Sequence, residues 1–310
     1  MHINVAVGIL IDSNKKILLA QRPKSRSWSG WWEFPGGKLE KNESTREALS
    51  RELKEEVGID VVNCEKWVTR NYSYEEHNVT LYFFKITKWN GKLTPKEGQK
   101  LLWINPSEVN KDTILPPNIF ILNALSLPTQ YGITNISETP KEIFLNQLLN
   151  QLEQGLKMIQ IREKNLPLEE LKKTTLEIIR ICKSFSAKVI LNSSIELAND
   201  VNANGVHLNS IELRKFNKKP KNMIVSASCH SEDDVQIAQD KGIDFVVLSP
   251  VNKTNSHPKI VPLGWSKFLS ITSKFDIPIY ALGGMKKSDI DNALDSGAIG
   301  IASQRDIWSN

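Results

Sequence analysis

Between Gly37 and Ile59 the chain reads GKLEKNESTREALSRELKEEVGI. Glu52, Glu55 and Glu56 are related by steps of three and four, which puts them on one face of a helix. Leu49, Leu53 and Val57 form an apolar stripe beside them that anchors such a helix to a core. Carboxylates at this spacing repel one another, and a solvated acidic face is the plain alternative. A hard divalent cation relieves the repulsion, and Mg²⁺ in particular is held by a few carboxylates together with substrate phosphates. Gly36 and Gly37, ahead of the helix, let the backbone come close and can present a carbonyl to a metal.

A second set of polar residues follows apolar runs far downstream. Gln160, Arg162 and Lys164 come in QIREK, Asn192 ends KVILN, Ser228 and His230 flank Cys229, and Gly283-Gly284 follow IPIYAL. Arginine and lysine bind anions, and a glycine pair lets backbone N–H groups approach a phosphate. An imidazole such as that of His230, or more remotely His257 in the loop SHPK, suits proton transfer near neutral pH.

These groups need two kinds of scaffold. At 310 residues the chain has the length of two domains, taking about 150 residues for each. Apolar residues make up 40% and charged residues 24%, an ordinary globular composition that excludes disordered, collagen-like and coiled-coil classes. No apolar run approaches the roughly 20 residues of a membrane span. MHINVAVGILID lacks the marks of a secretory signal, and Cys64, Cys182 and Cys229 are widely spaced. The expectation is a cytoplasmic protein without a disulfide framework or cysteine zinc site. The net charge of +5 is spread evenly, with 18 basic and 15 acidic groups before residue 127 and 22 and 20 after it. No stable nucleic-acid partner is expected from so diffuse a charge; the oligomeric state stays open.

The expected division is 1–126 and 127–310, with a seam at Ser126-Leu127-Pro128-Thr129-Gln130. In the first part VAVGILI (5–11) and KILLAQ (16–21) flank a turn and suggest a hairpin. NVTLYFFKITKW (78–89) and 101–104 read as strands, 44–57 and 118–125 as helices. In the second part eight apolar runs, at 130–134, 158–162, 188–192, 205–208, 224–228, 245–250, 277–284 and 298–303, alternate with helical patterns. That rhythm predicts a short (β/α)8 TIM barrel, with an open α/β sheet as the alternative.

The pattern Gx5Ex7RELxEExGI is the Nudix box, and the first part closely resembles that family, whose fold is α/β (α+β). The resemblance implies hydrolysis of nucleoside diphosphates linked to another group, by water attack at phosphorus with Mg²⁺ or Mn²⁺. It makes Glu52, Glu55, Glu56 and the Gly36 carbonyl metal ligands and Glu43–Arg51 the structural pair of the box. It leaves Glu52 and Glu97 as candidate general bases, Glu97 being alternatively a further ligand or an exposed loop acid. VAVGIL, EFPGGK, WNGKLTPKEGQ and Pro116-Pro117-Asn118 are similar to the MutT branch, which removes 8-oxo-dGTP in DNA repair and mutation avoidance. On that likeness Arg22, Phe34 and Asn118 contact the substrate base. Asn118 lies one position early, and helix N-capping is its alternative role; Arg22 could be a surface residue and Phe34 plain core.

The second part resembles the thiamine-phosphate synthase and thiazole tautomerase superfamily. The likeness makes Gln160, Arg162, Lys164, Asn192, Ser228, His230, Gly283 and Gly284 the ligand site for a phosphorylated thiazole or pyrimidine-like compound. It departs from the synthases at Ser193, where the family has an Asp that holds Mg²⁺ and diphosphate, and at Asn209, where it has glycine. The expectation is a Mg²⁺-dependent nucleoside triphosphate pyrophosphohydrolase carrying a phosphate-binding barrel without full synthase activity. The alternative is a thiamine-pathway enzyme whose Nudix part acts on thiamine-type diphosphates.

Overall fold

The structure, a computed structural model, describes residues 2–23, 27–73, 78–254 and 260–309. Backbone contacts divide it into two compact units, Met1–Ser126 and Leu127–Asn310.

The first unit holds β1 (His2–Leu10), β2 (Ile17–Gln21), β3 (Trp32–Glu33), β4 (Gly36–Lys38), α1 (Thr45–Val57), β5 (Asp60–Ser73), β6 (Asn78–Asn90), β7 (Leu101–Ile104) and α2 (Pro116–Ala124). They build a four-stranded sheet, β4-β1-β6-β5, and a three-stranded sheet, β3-β2-β7. The turn after β1 forms, with Asp12 Oδ1 accepting from the amides of Asn14 and Lys16 at 2.8 Å. The expected hairpin does not: β1 and β2 share one bridge, Ile11 to Ile17, and then enter different sheets. β1 instead pairs in parallel with β6 over its whole length, since both strands are apolar on the face that α1 covers. Leu49, Leu53 and Val57 of α1 are fully buried there with Ala6, Leu10, Phe84 and Ile86. The helix starts in a capping box, Ser44 with Glu47, and stops at Gly58 in the left-handed region.

The second unit is a closed barrel of parallel strands, β8 (Gln130–Ile133), β9 (Met158–Ile161), β10 (Lys188–Asn192), β11 (Gly205–Leu208), β12 (Ile224–Cys229), β13 (Phe245–Leu248), β14 (Ile279–Ala281) and β15 (Gly300–Ser303). Each falls on an apolar run anticipated from the sequence, and the open-sheet alternative is excluded because β15 pairs with β8. The barrel is short because α5 (Ile195–Asp200), α6 (Ser210–Lys215) and α9 (Ile290–Asp295) have only six residues each. Tyr131, Phe245 and Tyr280, from three strands, meet with ring centroids 5.3–5.6 Å apart. They fill the barrel interior, while a larger aliphatic cluster packs between strands and helices.

Trp308 closes the chain onto this barrel. It is 2% exposed, lies edge-on to Phe144 of α3 (Lys141–Glu153) at 5.0 Å, and donates its indole N–H to the Ile133 carbonyl at 2.7 Å. Trp308→Ala opens a cavity and strips that carbonyl of its donor, so denaturant unfolding is expected to show the barrel destabilised by about 3–5 kcal/mol.

Candidate functional site

Arg51 organises the acidic face of α1. Its Nε and Nη2 donate to the two oxygens of Glu43, both at 2.9 Å, and Nη2 also reaches the Lys38 carbonyl at 3.0 Å. Its Nη1 donates to Glu52 at 2.9 Å and to Glu55 at 3.3 Å. These bonds to Glu43 and Glu52 hold the guanidinium charged, far above its ordinary range, and in return Arg51 lowers the Glu43 carboxyl. One cation thus offsets repulsion among carboxylates that helical spacing forces together.

The β4 backbone completes this corner. Glu56 is buried and accepts the Gly36 amide at 3.0 Å. Glu52 rests where Gly37 would carry a side chain: a Cβ there would lie 2.1 Å from its carboxyl carbon. The Glu97 loop is tied to the same helix turn. The Lys96 amide and the Gln99 side chain donate to the Glu56 carbonyl at 3.0 and 2.8 Å, and Gln99 also accepts the Glu97 amide. Glu97 itself is exposed.

Arg22, Phe34 and Asn118 belong to adjoining elements. Arg22 follows β2, is half-buried, and pairs with Glu33 of β3 at 2.6 Å, so it is not a loose surface arginine. Phe34 follows β3 and is buried. The Leu115 amide donates to Trp32 of β3, which docks the start of α2 beside them. Asn118 does not cap that helix. Leu115 is the cap residue, Pro116 takes the first helical position, and Asn118 lies buried within the first turn. Trp28 is 45% exposed and meets Trp31 edge-on at 4.6 Å.

The barrel's polar strand ends line one cavity of about 680 Å³. It contains Gln160, Arg162, Lys164, Asn192, Ser228, His230, Gly283 and Gly284. The glycine pair has two jobs. A Cβ on Gly283 would lie 2.7 Å from Pro250, and one on Gly284 would lie 2.4 Å from the Lys253 carbonyl, so both glycines admit the 250–253 loop. Both have positive φ, at 99° and 66°, and their amides donate to no acceptor among the described residues. His230 Nδ1 lies 3.0 Å from the Ser249 carbonyl, which can only accept, so Nδ1 donates there and Nε2 has no partner among the described residues. His257 lies outside the described residues.

Comparison with known proteins agrees with both geometries. Residues 2–122 match the family model described as NUDIX domain, and residues 130–307 match that described as thiamine monophosphate synthase. The chain belongs to both families. It is 44% identical over 96 residues to an 8-oxo-dGTP diphosphatase of Proteus vulgaris, covering 31% of this chain and 86% of the relative. It is 37% identical over 118 residues to the CTP pyrophosphohydrolase of Escherichia coli (strain K12), covering 38% and 87%. The barrel is 37% identical over 180 residues to a protein of Aquifex aeolicus named "Putative thiamine-phosphate synthase 2", covering 57% and 96%. The first unit is therefore a Nudix hydrolase, and both units handle small phosphorylated molecules. No helix among the described residues is long and apolar enough to cross a membrane.

Nudix hydrolases generally use divalent metals. The donors here fit one: Glu52 and Glu56 offer hard carboxylate oxygens against the Gly36–Gly37 backbone, with Glu55 on the same helix face. Among the described residues no three such groups are already gathered around a point, and Arg51 engages Glu52 and Glu55.

The sequence reading named no role for several cavity residues: Ser193, His207, Asn209, Lys253 and Lys286. Their signal was position, since each lies on a strand or in the loop after one. His207 is the most constrained. Its ring nitrogens meet Ser226 Oγ at 2.8 Å and Ser228 Oγ at 2.9 Å, and burial, with the nearby Arg162 charge, pushes its pKa down to about 3.

Two outcomes are expected. Gly37→Ala drives its methyl into Glu52, so hydrolase turnover falls at least ~10²-fold with an unchanged circular dichroism spectrum, the scale of a misplaced catalytic group. His207 is neutral when folded and takes a proton near its ordinary pKa when unfolded. The unfolded state then binds more protons below pH ~6.5, and barrel stability falls as pH drops from there towards 3. Unfolding free energies between pH 6 and 4 should fall less steeply in His207→Asn, by up to about 1.4 kcal/mol per pH unit.

Proposed function

We propose that the Nudix unit hydrolyses a nucleoside triphosphate to the monophosphate and pyrophosphate, with 8-oxo-dGTP as preferred substrate and Mg²⁺, or Mn²⁺, as cofactor. The observation that carries this is the seating of Glu52 and Glu56 on the Gly36–Gly37 backbone, where carboxylates and a close main chain can hold a metal triphosphate. Glu52, Glu55, Glu56 and the Gly36 carbonyl hold the metal in this reading. A divalent ion bound there neutralises the phosphates and orients the attacking water. Arg51 keeps Glu43 and Lys38 in place while it yields Glu52 and Glu55 to substrate. Glu52, wedged against Gly37, takes the water's proton; Glu97, tethered beside Glu56, approaches the phosphates from the loop side. Arg22, Phe34 and Asn118 contact the base. A buried amide that is not spent on capping has both a donor and an acceptor to offer a purine edge.

The barrel, in this reading, binds an organic phosphate at the free Gly283 and Gly284 amides. Ser193 in place of a metal-binding carboxylate argues against full synthase activity, and His230 with its free Nε2 is placed as an acid/base. The barrel family also favours a second substrate class for the Nudix unit, thiamine-type diphosphates. The work of both units on soluble metabolites fits a role in nucleotide-pool sanitising in the cytoplasm.

The test is kcat/KM for 8-oxo-dGTP, dGTP, CTP and thiamine diphosphate with Mg²⁺. The expected preference for 8-oxo-dGTP over dGTP is about 10³, or ~4 kcal/mol of transition-state discrimination. Glu52→Gln and Glu56→Gln should each abolish pyrophosphate release, and Asn118→Ala should erase the preference while sparing turnover of dGTP. Fastest turnover of CTP or thiamine diphosphate would replace the proposed substrate; full activity in both glutamine variants would remove the chemistry.

A further inference from the structure

The barrel's resemblance to synthases implies a second divalent ion, at the end of β10. The residues there do not fit one. Ser193 Oγ accepts from Asn192 Nδ2 at 2.8 Å and lies 3.5 Å from Asn209 Nδ2. Asn192 in turn accepts from Gln160 Nε2 at 3.1 Å. Both lone pairs of the Ser193 hydroxyl therefore face N–H donors, and its own proton is what remains to offer. A hydroxyl so arranged greets an anion and turns away a cation.

Two carboxylates of this part of the barrel are already committed. Glu212 of α6 accepts the Asn209 amide at 2.9 Å within a capping box. Asp306 is the only carboxylate lining the cavity among the described residues, and it accepts the Lys287 amide at 2.9 Å. Against these stand Arg162, Lys164, Lys253 and Lys286, which line the same cavity and form no ion pair among the described residues. Cations with no carboxylate to answer them leave a field that a phosphate or diphosphate would neutralise.

We propose that the barrel binds its phosphorylated ligand without a divalent cation, the four basic side chains supplying the charge a metal would bring and the Ser193 hydroxyl donating to the ligand. This rests on the reading of the cavity as a phosphate site and adds to it the source of the counter-charge. The two units of one chain then differ in kind: one recruits a metal with carboxylates, and the other dispenses with it.

The probes are inorganic pyrophosphate and inorganic phosphate, titrated calorimetrically into the full-length protein in EDTA and in excess Mg²⁺. The Arg162→Ala/Lys253→Ala variant is titrated in parallel, so that the difference isolates the barrel from the Nudix unit. The expected result is barrel binding in EDTA that Mg²⁺ leaves unchanged or weakens by sequestering the anion, and that falls at least tenfold in the variant. Pyrophosphate bound more tightly than phosphate assigns a diphosphate ligand; the reverse assigns a monophosphate. Ser193→Asp should weaken binding tenfold or more in EDTA and make it respond to Mg²⁺, whereas Ser193→Ala should lose only a few-fold. Variant-sensitive binding that appears only with Mg²⁺ would overturn the proposal and leave the phosphate site standing. No variant-sensitive binding in either buffer would overturn the phosphate site itself, and the proposal with it.

Discussion

Gathering like charge at short range is the constraint around which both units are built. Glu52, Glu55 and Glu56 of α1 crowd together with Glu43 just ahead of it, and Arg162, Lys164, Lys253 and Lys286 line one barrel mouth. Neither arrangement by itself stabilises the fold that carries it, because like charges repel. In the Nudix unit the answer is internal. Arg51 reaches three of the carboxylates, and the Gly36 amide takes the fourth. In the barrel no carboxylate among the described residues pairs with these four cations, and the free amides of Gly283 and Gly284 add partial positive charge. That mouth is arranged for a ligand that brings the missing sign.

Scaffolds able to bear such loads have to be firm elsewhere. Helix α1 is capped at both ends and buries Leu49, Leu53 and Val57 on the β1–β6 sheet, so its acidic face is presented on a rigid rod. The barrel interior is plugged by Tyr131, Phe245 and Tyr280, and neutral His207 fixes the Ser226 and Ser228 hydroxyls above them. Gln160, Asn192, His207 and Ser228 are thereby held on strands, and the remaining polar groups sit in the loops that follow them, as barrel sites usually do.

Local patterns were legible and distant pairings were not. The apolar stripe of α1, its capping box and the eight barrel runs are all periodic signals within a few residues, and each element forms where its run lies. The parting of β1 and β2 could not be read from their own residues, because the pairing of β1 is decided by β6, more than seventy positions away. Strand β5 went unanticipated for the same reason. DVVNCEKWVTRNYS lacks clean alternation, and the strand is held by β6 with register shifts along the way. Asn118 shows a smaller version: Pro116 starts α2 earlier than 118, so the amide falls inside the helix and not at its cap.

By itself the sequence determined the inventory: a carboxylate helix behind two glycines, a run of strand ends bearing Gln160, Arg162, Asn192, Ser228 and Gly283, and the absence of Asp at 193. Residue type and short spacing suffice for that, since helix faces and strand alternation follow from backbone geometry. Only the tertiary structure decided which charges are answered. It set Glu52 into the space left by Gly37, spent Glu212 on a cap, turned both lone pairs of Ser193 towards amide donors, and brought Lys253 and Lys286 to the mouth of Arg162 and Lys164. The Glu212 cap and the Asn192 contact are local, but the others join residues fifteen or more positions apart. They depend on how strands close and loops pack, and no local pattern encodes the partner that a distant side chain will meet.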